Sequence, residues 1–304
     1  MTPRERLLAA VRGEAVDRPP FAVWRHFYPD ESEGATLLAR RTVAWTAEHA
    51  LDLVKYNPRA HYHAEPWGTR YEYGGGARPR LARYAVQRSR DWPLVTRRTT
   101  SEPAFAELLE GLALVRAALP DVPLVATIFT PLGVLERLAG RERVLADLRE
   151  EPDLVFGALQ AVTATFRDLA RRCAEVADGI FLATTSWAQR DVLDDEYARF
   201  GRPYDLEVLD GARGAPLNVL HVCGPGARVV ELARYPVAAV SWNPHLAGTP
   251  SLGELLAAVP DRAAIGGLSD GALLAADGSL ARSEIARALD QTGGRRWVAA
   301  GGCT

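Results

Sequence analysis

Cysteine is scarce in this sequence: Cys173, Cys223 and Cys303 are the only three in 304 residues. An odd, sparse set argues against a disulfide framework and fits a reducing compartment, which leaves packing, metal binding or catalysis for each thiol. Net charge is equally lacking. Lys+Arg total 36 and Asp+Glu 38, a balance of −2, and no run of basic residues stands out. The electrostatic footprint of a nucleic-acid binder is therefore missing. No stretch approaches the ~18 consecutive apolar residues of a membrane span. The opening residues, Met1 to Arg12, are charged and helical in pattern, unlike a secretory signal. These absences predict a cytoplasmic protein with neither nucleic-acid nor membrane partners. Internal repeats, low-complexity tracts and an interdomain linker are also absent, so residues 1–304 are expected to form one domain. Apolar residues at 48% and charged residues at 24% exclude a disordered or collagen-like chain.

What is present is a rhythm. Thr2-Pro3-Arg4-Glu5 reads as a helix start, with Thr2 as cap, Pro3 in the first turn and Glu5 completing a capping box; Gly13 ends that helix. Eight apolar runs of strand length follow: 21–25, 52–57, 122–128, 178–183, 217–221, 237–242, 263–268 and 297–301. They are nearly continuous in apolar residues, as strands buried on both faces are. Helical stretches lie between them, at about 34–49, 103–118, 152–176, 196–212, 226–235, 252–259 and 280–291. Eight buried strands alternating with helices predict an α/β fold, a (β/α)₈ barrel. The segment 58–98 is too long for a βα loop, and its Tyr, Trp, Gly and Arg content predicts an inserted hairpin or lid after strand 2. The glycine fingerprint of a dinucleotide fold is missing. Gly224-Pro225-Gly226 reads as a helix N-cap turn.

In a (β/α)₈ barrel the chemistry sits at the C-terminal strand ends. The residues there are Arg25 and His26, Asn57, Thr130, Ser186 and Trp187, His221 and Cys223, Asn243 and His245, Ser269 and Asp270, and Cys303. His221-Val222-Cys223 is the sharpest pattern, because i and i+2 on a strand share a face. Cys303, after the eighth strand, faces the same mouth. One His and two Cys make a known catalytic zinc shell with an open fourth position; core packing of His221 and Cys223 with a tail thiol at Cys303 is the plain alternative. Cys173 lies in a long helix and is expected to pack. His61, His63 and Glu65 would share one face of a strand, as a second metal site, as substrate contacts in a lid or as a solvated hairpin face. His26 and His49 have no partner visible in the sequence. Asp194-Asp195-Glu196 suits a helix N-terminus. Trp24, Trp187 and Trp242 sit at strand ends, where they serve either a planar ligand or the core. Signatures of a serine triad, a phosphate loop, an H-E-x-x-H metalloprotease and a D-x-H-x-x-G corrinoid carrier are all absent.

Arg4 to Ala10 with Gly13-Glu14 and Asp17-Arg18-Pro19-Pro20 resembles the opening of the uroporphyrinogen decarboxylase superfamily. Val122-Pro123-Leu124 with Phe129-Thr130-Pro131 is similar to its third-strand segment. Ser186-Trp187-Ala188 with Tyr197, Phe200 and Pro203-Tyr204 is similar to the segment after strand four, and Gly266-Gly267-Leu268-Ser269-Asp270 falls where the family has Gly-Asn-Leu-Asp. The resemblance spans nearly the whole chain and implies the same barrel. The family's decarboxylases hold a tetrapyrrole with two arginines four apart after strand one and an aspartate after strand two. Here Arg25 matches the first arginine, but Pro29 stands at the second and Asn57 replaces the aspartate. The other branch comprises zinc-dependent methyltransferases that move a methyl group between a corrinoid protein and a thiol, with an H-x-C motif after strand five and a further Cys after strand eight. His221, Cys223 and Cys303 match that motif. The resemblance thus implies Zn²⁺ on these three residues, a small-molecule thiol substrate, a corrinoid on a partner protein and a homodimer. Arg25, Asn57, Ser186, Trp187, Asn243 and Ser269 are the expected substrate contacts. A metal-free decarboxylase acting on a porphyrinogen or another carboxylic acid, and a non-catalytic ligand-binding barrel, are the competing readings. The sequence ends one residue past Cys303, at Thr304, where family members continue into a last helix, so a fraying Cys303 ligand is also expected.

Overall fold

The computed structural model of the chain describes all residues except Gly75, Ala77 and Thr304. All eight predicted strands form: β1 (Phe21–Ala22), β2 (Val54–Tyr56), β3 (Leu124–Phe129), β4 (Gly179–Ala183), β5 (Val219–His221), β6 (Ala239–Ser241), β7 (Ala263–Leu268) and β8 (Trp297–Gly301). They make one sheet in the order β1-β8-β7-β6-β5-β4-β3-β2, every pair parallel. With helices outside and the sheet nearly closed, this is the (β/α)₈ barrel. Among the described residues, no helix is long and apolar enough to cross a membrane.

Side chains alternate across the barrel wall, as the period of two requires. Ile180 and Leu182 of β4 join the core between sheet and helices, while Phe181 between them points inward with Val125, Val219, Ile265 and Val298. The inward series climb from apolar to polar. They run Leu53, Lys55, Asn57 on β2; Val125, Thr127 on β3; and Val219, His221, Cys223 on β5. The lower barrel is filled by small apolar groups, and the polar groups accumulate at the C-terminal mouth.

The bottom is plugged by the helix Pro3–Arg12, which carries the expected capping box. The Glu5 amide donates to Thr2 Oγ1 at 3.2 Å and the Thr2 amide to Glu5 Oε2 at 2.8 Å. Gly13 ends it in the left-handed conformation, φ 78°. Leu7 and Val11 of this helix enter the barrel interior. Beneath them lies a charged lattice. Asp52, whose side chain is 1% exposed, accepts from Arg6 Nη1 and Arg18 Nη1, each at 2.6 Å, and from the Phe21 amide at 2.9 Å. The Asp52 amide in turn donates to the Phe21 carbonyl at 2.9 Å. Asp178 accepts from Arg4, Arg116 and the Leu124 amide in the same manner.

Two helical expectations are corrected. The stretch 196–212 is two helices, Asp194–Phe200 and Arg202–Gly211, because Pro203 lacks the amide and the room that a continuous helix needs. Asp194, Asp195 and Glu196 do occupy a helix N-terminus. Gly224 and Gly226 both have positive φ and form a turn; the short helix Val229–Leu232 is capped at Arg228, so Gly224-Pro225-Gly226 is not its N-cap. The segment after β3 contributes two further helices, Pro131–Ala139 and Arg141–Glu150, parted at Gly140 with φ 84°. The insert after β2 holds the expected hairpin, Arg70–Glu72 antiparallel to Arg80–Arg83. Trp187 and Trp242 are buried in the core, and Cys173 packs there as expected.

Outside the barrel, Tyr197 donates to Asp205 Oδ2 at 2.6 Å and Tyr235 at 3.2 Å, with Asp205 fully buried; burial pushes its carboxyl from 3.8 up to about 7, against those two hydrogen bonds. Ionising Asp205 is therefore easier in the unfolded chain, and its contribution to stability, complete below about pH 4, is lost as pH rises through about 7. Asp205→Asn is expected to flatten the decline of Tm between pH 4 and 7; a parallel pH profile in both proteins would refute this. Removing the buried carboxylate in Asp52→Ala strands two arginines and is expected to cost about 3–5 kcal/mol in urea unfolding.

Candidate metal centre and cavity

Three side chains converge at the mouth. His221 ends β5, and Cys223 follows two residues later on the same face. Cys303 arrives from the end of β8, three strands later in the chain but adjacent in space. One donor atom from each lies within 4.8 Å of the others, and the two Sγ atoms are 4.0 Å apart. Tetrahedral zinc, with Zn–S near 2.3 Å and Zn–N about 2.0–2.1 Å, sets its ligand atoms roughly 3.5–3.8 Å apart, so the triad needs only a small contraction to hold the ion. The donor chemistry fits too: one imidazole and two thiols leave a fourth position open toward the cavity. The Ser241 hydroxyl lies 3.3 Å from His221 Nδ1 and Phe181 stacks on the ring at 5.3 Å, which fixes the ring plane. Without metal, the Cys223 thiol is pushed up by its hydrogen bond to Cys303 and by burial. A cation would reverse that direction.

Gly302 places Cys303. A Cβ there would lie 2.2 Å from the Cβ of Asn243, so only glycine lets the chain pass this close to the end of β6. Cys303 is exposed, beside the half-buried Cys223. Thr304 lies outside the described residues.

The triad opens into a cavity of about 420 Å³, within the range of small-molecule sites. Lys55 and Asn57 line its floor. Lys55 is the only lysine of the chain. Its ammonium donates to Asn57 Oδ1 and sits 4.7 Å from the Phe181 ring and 5.2 Å from Trp24. Burial lowers it to about 7, and the charge of Cys303 opposes the shift. Asn57 Oδ1 also accepts from Thr127 at 3.1 Å, and its amide donates to the Arg25 carbonyl at 3.3 Å. On the far wall, Ser186 donates to Glu136 Oε2 at 2.9 Å and accepts from Arg141 at 3.2 Å.

The insert supplies the remaining wall, and here the strand reading of His61, His63 and Glu65 fails. His61 takes the left-handed conformation (φ 66°) and Tyr62–Trp67 is a 3₁₀ helix, so the three do not share a strand face. Glu65 turns away to Arg59 at 2.7 Å, while His61 and His63 line the cavity. His63 stacks on Phe129 at 3.9 Å, and neither ring nitrogen has a hydrogen-bond partner among the described residues. Burial, then Arg137, pulls His61 down to about 3 and His63 well below the ordinary histidine value, so both are neutral at pH 7. His26, unpartnered in sequence, pairs with Glu31 at 2.8 Å, and His49 with the Trp45 carbonyl at 3.2 Å.

The other expected contacts divide. Asn57 and Ser186 line the cavity. Arg25 instead lies over Trp45 and Phe27, at 5.5 and 5.8 Å, beside a small separate cleft. Trp187 is buried beneath Arg141, and Asn243 backs Gly302. Ser269 caps the helix Asp270–Leu274 and bonds Glu284. Sequence reasoning missed Lys55, Thr127, Glu136 and Arg137. Lys55 was within reach of the i, i+2 rule, two residues before Asn57; Glu136 and Arg137 sit on a helix that the strand–helix rhythm does not reveal.

The family model described as uroporphyrinogen decarboxylase (URO-D) matches residues 2–304. No curated protein matches the chain. Among solved structures, a methyltransferase from Methanosarcina mazei is 20% identical, covering 100% of this chain and 93% of its own, with a TM-score of 0.80. A B12-independent methionine synthase from Shewanella sp. W3-18-1, in complex with selenomethionine, is 12% identical over 93% of this chain and 85% of its own, with a TM-score of 0.61. At these identities the likeness is one of fold.

If the triad is a metal centre, untagged protein is expected to carry about one zinc ion per chain by elemental analysis, and Cys223→Ser to lose it. Equal zinc in both proteins would place the metal elsewhere.

Proposed function

The chain belongs to the uroporphyrinogen decarboxylase family, and from that premise we propose that it is a zinc-dependent methyltransferase acting on a small-molecule thiol. The observation that carries this reading is the meeting of His221, Cys223 and Cys303 within 4.8 Å at the mouth of a cavity. A zinc ion bound by them supplies positive charge that favours the thiolate, the nucleophilic form of the substrate. In this reading the methyl donor is a corrinoid, as the resemblance to the methyltransferase branch implies, and because the sequence has no D-x-H-x-x-G fingerprint a partner protein would carry it. A corrinoid presented at the mouth would supply the methyl group, and the triad His221, Cys223 and Cys303 would hold the acceptor sulfur as thiolate.

The chain's own residues prepare that step. Phe129, Phe181 and Tyr62 line the cavity with aromatic surface and keep water from the reacting sulfur. Lys55, when protonated, and Arg137, which pairs with Glu136, could meet negative charge on the substrate. Neutral His61 and His63, with Asn57 and Ser186, offer hydrogen bonds that orient the thiol's other end.

The decarboxylase reading is less well supported by the same walls. Arg25 packs on Trp45 outside the main cavity, and Asn57, neutral and engaged by Lys55, lacks the charge an aspartate would bring to pyrrole N–H groups.

The test is methyl transfer from a methylated corrinoid to a thiol, followed by the corrinoid spectrum. Wild type loaded with zinc is expected to demethylate the corrinoid and yield a thioether, with Cys223→Ser and Cys303→Ser reduced to background. Wild-type rates in Cys223→Ser would overturn the proposal.

A further inference from the structure

The two cysteines of the triad have a second chemistry open to them. Their sulfurs are 4.0 Å apart, and a disulfide requires about 2.05 Å, so an approach of roughly 2 Å joins them. Cys303 is exposed and follows Gly301-Gly302, and Cys223 is half-buried just after β5, its amide 3.5 Å from Thr184 Oγ1. The third cysteine, Cys173, is fully buried in the helical core, so an oxidant in solution does not reach it.

We propose that, in the metal-free protein, Cys223 and Cys303 form a reversible intramolecular disulfide that closes the centre to metal. The inference uses only the thiol pair and stands whether or not the protein transfers methyl groups. With hydrogen peroxide as oxidant, the exposed Cys303 thiol is oxidised first to the sulfenic acid, releasing one water. The Cys223 sulfur then attacks that sulfur, the S–S bond forms, and the sulfenic oxygen leaves with two protons as a second water. Two thiols are oxidised and one peroxide is reduced to two waters. A dithiol reductant reverses the change by exchange. Because both sulfurs are consumed, His221 alone remains of the three donors. Bound metal engages the same sulfurs, so occupancy of the centre and oxidation are mutually exclusive.

The experiment treats metal-free protein with about one equivalent of hydrogen peroxide and reads intact mass, thiol count and peptide map. The expected result is a mass lower by about 2 Da, a thiol count falling from three to one, and a linked peptide joining Cys223 to Cys303. Dithiothreitol is expected to restore three thiols and zinc uptake together. Cys173→Ala is expected to form the same link, and Cys303→Ser none. Prior loading with zinc is expected to slow the reaction. Sulfinic acid on Cys303 without a link, a link between two chains, or undiminished zinc uptake by the oxidised protein would each overturn the proposal.

Discussion

Asp52 closes this barrel. The sheet runs from β1 round to β2, and those two strands share no ladder of their own. At the foot of the seam the amide and carboxylate of Asp52 pair with the carbonyl and amide of Phe21, while Arg6 and Arg18 hold the same carboxylate. A buried ion pair contributes little net stability compared with an apolar replacement, but it is highly directional. Here it fixes helix, first strand and second strand in one arrangement. Lys55 and Asn57 are three and five residues beyond Asp52 on the same short strand run, so the floor of the cavity inherits its register from this seam.

Above the seal, the pleat does the sorting. Each inward series begins apolar, where the strands converge around Leu7 and Val11, and ends polar at the mouth. A polar group lower in the barrel would have no water and few partners. The mouth is where a lysine can be buried beside aromatic faces yet still meet a ligand, and where thiols can be half-buried yet reach solvent. Both proposals draw on that intermediate burial, which would desolvate a substrate sulfur and would leave Cys303 open to an oxidant.

The insert after β2 changes the character of the site. A bare barrel mouth would be a shallow dish. The 3₁₀ segment Tyr62–Trp67 walls it with His61 and His63, and Glu31 ties this segment to the first loop by accepting from the Ala60 amide at 2.8 Å and, through its other oxygen, contacting His26. The two histidines of the wall are kept neutral by burial next to arginine, so the cationic groups of the cavity are Lys55, itself lowered to about 7, and Arg137, which pairs with Glu136, rather than imidazolium.

By itself the sequence determined the strands, because eight apolar runs separated by amphipathic stretches leave few ways to bury both faces of each run. It also placed the His221 imidazole and the Cys223 thiol on one face, because i, i+2 spacing on a strand is a local property. The N-terminal cap, legible from Thr2, Pro3 and Glu5, is local in the same sense. The tertiary structure decided what depends on distant pairing. Cys303 meets Cys223 across 80 residues of chain, Arg25 finds Trp45 instead of the cavity, and His61 and His63 leave the strand pattern for a 3₁₀ turn whose shape is set by packing on Phe129. Periodicity carries the facing of a side chain within one element. It carries nothing about which element will stand opposite, and a binding site is made of opposites.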